Sequence, residues 1–180
     1  MRCVYCQNYQ ISQDWKSQRL NETDCRSLAL SMMQLQDELK CHNINFVSPS
    51  HFVPQMVRAI AEAVPMGLHI PIVYNTSGYD SVDTLKELEG IVSVYLTDLR
   101  YAGDREARRY SQAKRYVAHA REAIKEMYRH VGDLVLDGLE LADGPAELHA
   151  IIGVPGALVE AEHGPTQGRR QQGAAVPLHR

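Results

Sequence analysis

The stretch IPIVYNTSGYDSVDTLKELEGIVSVYL, residues 70–96, decides the fold class. Ile70–Tyr74 is short and apolar on both faces, the pattern of a strand buried within a parallel sheet. Asn75-Thr76-Ser77-Gly78 reads as a loop. Asp80–Glu89 reads as a helix with Val82, Leu85 and Leu88 inward, and Gly90 stops it. Ile91–Leu96 is a second continuously apolar strand. Parallel strands need a crossover of this kind, because a tight turn cannot return the chain to the same end of the sheet.

The same alternation extends on both sides. Upstream, Leu28, Met32, Leu35 and Leu39 give residues 22–40 a helical period, with Asn21 and Asp24 available as caps. Asn43–Ser48 reads as a strand that Pro49 ends, and Pro54 opens a helix with Val57, Ile60, Ala61 and Val64 on one face. Downstream, Asp98 to Tyr110 is a charged loop or short helix. Gln112–Val131 is a long amphipathic helix carrying Val117, Ala120, Ile124, Met127 and Val131 on its stripe. Helices alternating with buried strands predict an α/β fold, either a parallel sheet or a (β/α) barrel. No strand precedes the first helix in this pattern, so one sheet edge is expected to be bare or covered by a partner. The polar residues after each strand fall at the C-terminal edge, where such folds build their sites. Turn chemistry alone also accounts for residues of these types.

Composition sets further bounds. The chain has 180 residues, with Lys+Arg 19 against Asp+Glu 22 and a formal charge of −3. That balance predicts no nucleic-acid partner. No apolar run is long enough for a membrane span. Met1-Arg2-Cys3 runs into polar sequence rather than an apolar leader, so we expect a cytoplasmic, reducing setting. All the aromatic residues lie at or before Tyr128, and the last lysine is Lys125. From about residue 137 the sequence is rich in Gly, Ala and Pro and has no aromatic residue, which predicts a divergent, poorly ordered tail.

Four cysteines in a reducing compartment point to metal or reactive thiols before disulfides. Cys3-Val4-Tyr5-Cys6 is a C-x2-C, whose turn brings two sulfurs to one side. By itself it fits a zinc or iron site or a redox dithiol. Cys25 and Cys41, single cysteines in or beside a helix, read as small buried hydrophobes.

Cys3-Val-Tyr-Cys6-Gln-Asn8 resembles the last two cysteines of the C-x3-C-x2-C loop of radical S-adenosylmethionine enzymes, in which an aromatic residue precedes the last cysteine. The likeness continues through His42–Phe52, Pro71–Tyr79, Tyr95–Tyr101 and Glu126–Gly132. Together these blocks resemble iron–sulfur proteins related to the pyruvate formate-lyase activating enzyme. The resemblance implies a partial (β/α) barrel of parallel strands with outer helices over residues 1–136. It implies a [4Fe–4S] cluster on Cys3 and Cys6 and S-adenosylmethionine as cofactor. The cluster would cleave that cofactor reductively to a 5′-deoxyadenosyl radical, which abstracts hydrogen from a substrate. Tyr5 would pack on the adenine. Ser48, Ser50 and His51, with Pro49, would receive the methionine amino group. Asn75, Ser77 and Asp98 would meet the ribose hydroxyls or the substrate. An electron donor such as flavodoxin or ferredoxin, and a protein substrate, are the implied partners.

The departures carry expectations too. The family loop has a third cysteine four residues before Cys3, the family glycines are missing around Ser48–His51, and further strands would follow Gly132. These differences predict an incomplete copy, its start placed late, lacking the first and later strands, with an unrelated or frame-shifted segment after about residue 137. The basic run Arg100, Arg105, Arg108, Arg109, Lys114 and Arg115 reads as a solvated face or a docking surface.

Overall fold

A computed structural model describes residues 1–14, 16, 22–133, 149–153 and 174–176. Three of its strands are those the apolar runs predict: β1 (Ile44–Val47), β2 (Ile72–Thr76) and β3 (Val94–Asp98). They lie side by side in chain order, all parallel, with Phe46 opposite Tyr74 and Tyr74 opposite Tyr95. The helices are α1 (Tyr9–Ser12), α2 (Cys25–Asp37), α3 (Val53–Ala63), α4 (Val82–Lys86), α5 (Asp104–Ser111) and α6 (Tyr116–Val131).

Side chains alternate across a strand, so each strand offers two faces. Ile44, Phe46, Ile72, Tyr74 and Tyr95 form one core with Leu28 and Met32 of α2, Met56 and Ile60 of α3, Leu85 of α4 and Met127 of α6. The intervening residues Asn45, Val47, Val73, Asn75, Val94 and Leu96 belong to the other face and stay outside that cluster. Four helices therefore pack on one side of sequential parallel strands. The described strands make an open, mixed α/β sheet.

Element boundaries shift for local reasons. Asp24 caps α2, its carboxylate accepting the Ser27 N–H at 2.7 Å. β2 starts at Ile72, after Pro71, which has no N–H for the ladder. β3 starts at Val94 because Ile91 and Val92 still close the preceding helical turn on the Leu88 carbonyl. Both strands then run further than the apolar runs do. Asn75, Thr76, Thr97 and Asp98 are strand residues, not loop residues. α3 begins at Val53 and buries Val53, Met56, Ala59, Ile60 and Ala63. The expected stripe is thus rotated: Val57 sits at its margin, and Ala61 and Val64 face outward.

Two short strands from the C-terminal segment complete the sheet, β4 (His149–Gly153) on β3 and β5 (Ala174–Val176) on β1. The edge of β1 expected to be bare is therefore paired. A main-chain edge accepts any extended segment, whatever its aromatic content. Most of the tail expected to be poorly ordered lies outside the described residues. No helix among the described residues is long and apolar enough to cross a membrane.

Gly78, just past β2, has φ +73°, and a Cβ there would lie 3.2 Å from both the Asp98 carbonyl oxygen and Thr97 Cγ2. Gly90 has nearly the same φ, +75°, but nothing within 4 Å. Left-handed backbone costs a non-glycine residue about 1–2 kcal/mol. Gly90→Ala should lose about that much in urea denaturation, and Gly78→Ala at least about 1 kcal/mol more because the strand ends must move apart. Equal losses would show that the β2–β3 edge is not packed as described.

Candidate functional site

The C-terminal ends of the three strands are locked together by hydroxyl groups. After β1, Ser48 takes a left-handed conformation (φ 56°) and its N–H donates to the Asn75 carbonyl at 2.8 Å. This turns the chain into a single helical turn, Pro49–His51, which sets Ser50 Oγ 3.5 Å from Thr76 Oγ1. Thr76 in turn donates to Asp80 Oδ2 at 2.5 Å, and Tyr74 donates to Asp80 Oδ1 at 2.9 Å. Asp80 is buried, so both carboxylate oxygens are held by hydroxyls rather than water. Burial, then the Asp80 charge, pushes the Tyr74 phenol well above its ordinary pKa, leaving it a protonated donor.

Tyr116, from the first turn of α6, joins β2 to β3. Its hydroxyl faces the carbonyls of Ser77 at 2.9 Å and Asp98 at 3.1 Å, and accepts the Arg100 N–H at 2.9 Å. The ring is fully buried between Tyr79 and Tyr101. Arg100 reaches back to Asp98, Nη2 to Oδ2 at 2.5 Å. Burial works against its charge, but Asp98 and then Cys3 outweigh it and raise the guanidinium pKa further.

Across these strand ends lies the thiol segment. The N–H groups of Arg2 and Val4 donate to the carbonyls of Ser111 and Tyr110, both at 2.9 Å, so residues 2–4 run as a short strap beside the end of α5. Cys3 is buried, and the Ser111 hydroxyl donates to its sulfur at 3.0 Å. Ser111 also meets the Tyr101 hydroxyl, which meets the Tyr5 hydroxyl, giving an unbroken chain from Tyr5 to Cys3. Burial pushes the Tyr101 phenol up to about 12, against the Ser111 hydrogen bond, with Tyr5 and Cys3 adding to the rise. Cys6 N–H closes the turn on the Cys3 carbonyl at 3.3 Å, and its sulfur lies 3.1 Å from Ser12 Oγ. Each thiol thus has a serine hydroxyl beside it.

Strap and strand ends face each other across a cleft of about 710 Å³. Cys3, Tyr5 and Cys6 of the strap line it, together with Ser48, Ser50, His51, Ser77 and Asp98 from the strand ends. Of the residues given site roles from the sequence, Asn75 and Pro49 are absent from this lining; Pro49 is buried at the start of the helical turn. Asn75 sits within β2, and its carbonyl is occupied by Ser48. The sequence reading named Arg100 in the basic run but not among the site residues, and it gave no site role to Ser12 and Asn8, which also line the cleft, or to Asp80, Ser111 and Tyr116, which hold it. Arg100 was legible as a charge two residues beyond Asp98, but its inward turn was not. No group of three or more His, Cys, Asp or Glu side chains is placed to hold a metal ion among the described residues.

No family model matches the chain, and no solved structure does. A curated protein of Methanocaldococcus jannaschii, described only as uncharacterized, is 29% identical over 120 residues. That match takes in 64% of this chain and 34% of the relative, so the chain spans about a third of that protein's length.

The Tyr116 hydroxyl serves three backbone groups at once. Tyr116→Phe should leave them short of a partner and cost about 1–3 kcal/mol in urea denaturation. It should also speed amide exchange at Arg100. Unchanged exchange there would place the junction of β2 and β3 elsewhere.

Proposed function

We propose that the cleft binds S-adenosylmethionine beside an iron–sulfur centre that Cys3 and Cys6 help to hold, as in radical S-adenosylmethionine enzymes of the activating-enzyme type. The single observation that carries this reading is convergence. Two thiols from the first six residues and five polar side chains from three separate strand ends face one cleft. Its volume lies within the range usual for small-molecule sites.

The residues suit the two ligands unequally. Hydroxyl and backbone oxygens at Ser48 and Ser50 accept from an ammonium, and Asp98 accepts from ribose hydroxyls. Tyr5, half-exposed and tethered through Tyr101, offers a ring for an adenine edge. The thiol pair supplies two ligands, one fewer than a four-iron cluster with an open iron takes. The described residues therefore do not complete that cage, and the third ligand belongs to the proposal rather than to the residues described. Under the same reading the protein is cytoplasmic, its fold is part of a (β/α) barrel, and an electron donor such as flavodoxin or ferredoxin serves it, with a protein among the candidate substrates.

The test is anaerobic reconstitution with iron and sulfide, on the chain as it stands and on a chain lengthened to put a cysteine four residues before Cys3. The lengthened chain should hold about four irons per molecule, the original markedly fewer. Cys6→Ala should abolish loading in both, and Cys25→Ala should leave it unchanged. Zinc bound without sulfide would replace this reading with that of a C-x2-C zinc protein. Unchanged iron content on lengthening would remove the cluster from Cys3 and Cys6.

A further inference from the structure

Tyr95 of β3 is buried, and its hydroxyl lies 3.0 Å from His130 Nδ1 of α6. The opposite ring nitrogen, Nε2, lies 3.2 Å from Glu126 Oε1, and the His130 side chain is only 1% exposed. Arg129 joins Glu126 to Glu89, with contacts of 2.8 and 2.9 Å. Arg129 first, and then His130, hold the Glu126 carboxyl below its ordinary range, so it stays an acceptor. That fixes the direction of the row. Nε2 carries its hydrogen toward Glu126, the neutral imidazole leaves a lone pair on Nδ1, and the Tyr95 hydroxyl donates to it. Side-chain hydroxyls in a core are mostly satisfied by backbone or water. Here the phenol has a base, and the base has a charged acceptor behind it.

We propose that Tyr95 is a redox-active tyrosine, which gives one electron to a one-electron oxidant while its hydroxyl proton passes to His130. The O–H bond of Tyr95 breaks, an N–H bond forms at His130 Nδ1, and the oxidant is reduced by one electron. The products are a neutral tyrosyl radical and an imidazolium facing the Glu126 carboxylate. Return of one electron and that proton restores the phenol. Burial, then the charges of Asp80, Glu126 and Glu89, raise the pKa of the phenol, so losing the proton alone is disfavoured. Losing both together keeps the buried ring neutral. Tyr74 stands edge-on to Tyr95, with ring centroids 5.8 Å apart. Its hydroxyl faces Asp80, which Thr76 joins to Ser50 at the cleft. An imidazole is a stronger base than a carboxylate, so of the two rings Tyr95 keeps the oxidising equivalent. Neither the thiols nor a cluster enters this chemistry.

The experiment uses the full chain without iron. A light flash generates the one-electron oxidant tris(bipyridine)ruthenium(III) beside it, and tyrosyl radical is followed by absorbance and electron paramagnetic resonance. Tyr9, Tyr110 and Tyr128 are exposed and supply a background that is lost as molecules collide. A persistent component should remain in the wild type, form more slowly in deuterium oxide, and vanish in Tyr95→Phe. His130→Gln keeps an acceptor for the hydroxyl but supplies no base, so that component should form about a hundredfold more slowly. Glu126→Gln keeps an acceptor for Nε2 but removes the charge, and should lower the yield. It decides the question if circular dichroism shows His130→Gln unfolded. No persistent signal in the wild type, one that survives Tyr95→Phe, or one untouched by both His130→Gln and Glu126→Gln would overturn the proposal.

Discussion

Two backbone hydrogen bonds, from Arg2 and Val4 to the carbonyls of Ser111 and Tyr110, hold the thiol segment over the strand ends. Residues 2–6 are too short to fold alone, and closing a loop of more than a hundred residues costs several kcal/mol of chain entropy. The closure is offset by what it brings together: the buried Cys3 and the hydroxyl chain through Ser111 and Tyr101 to Tyr5. Detached from α5, the strap would leave the strand ends facing solvent and the thiols without their serines.

The strand ends impose the complementary constraint. Consecutive parallel strands with helices on one face bring the segments after β1, β2 and β3 to one edge. Their hydroxyl-rich residues then satisfy one another rather than solvent. Asp80 fixes Thr76, Thr76 lies against Ser50, and Tyr116 ties Ser77 to Asp98 and Arg100. A charged pair, Asp98 and Arg100, is thereby held in a wall of the cleft. Both side chains remain partly open to water, 28% exposed for Arg100 and 36% for Asp98, so solvent screens the pair and it contributes modestly to the wall.

Sequence pattern carried the fold a long way, because buried parallel strands and amphipathic helices leave local periods. It gave β1, β2 and β3 and the helix cap at Asp24, with strand boundaries displaced by one to three residues. The displacement arises because main-chain pairing continues into Asn75, Thr76, Thr97 and Asp98, whose polar side chains hide the strand. Part of the cleft lining was legible for the same reason, since Ser48, Ser50, His51, Ser77 and Asp98 lie where strands end. The supports were not. Ser111 meets Cys3 across 108 positions and Tyr116 meets Ser77 across 39, and no local period records such pairs. β4 and β5 escaped because composition registers side chains, whereas a sheet edge is completed by backbone alone.

The central claim is that thiols and strand ends serve one ligand. Diffraction from crystals of the lengthened, iron-loaded protein soaked with S-adenosylmethionine, recorded at the iron absorption edge, tests it most directly. The account predicts an iron peak at Cys3 and Cys6, with nucleoside density running from Tyr5 toward Ser48, Ser77 and Asp98. An iron peak away from these sulfurs, or a nucleoside bound outside the cleft, would contradict it.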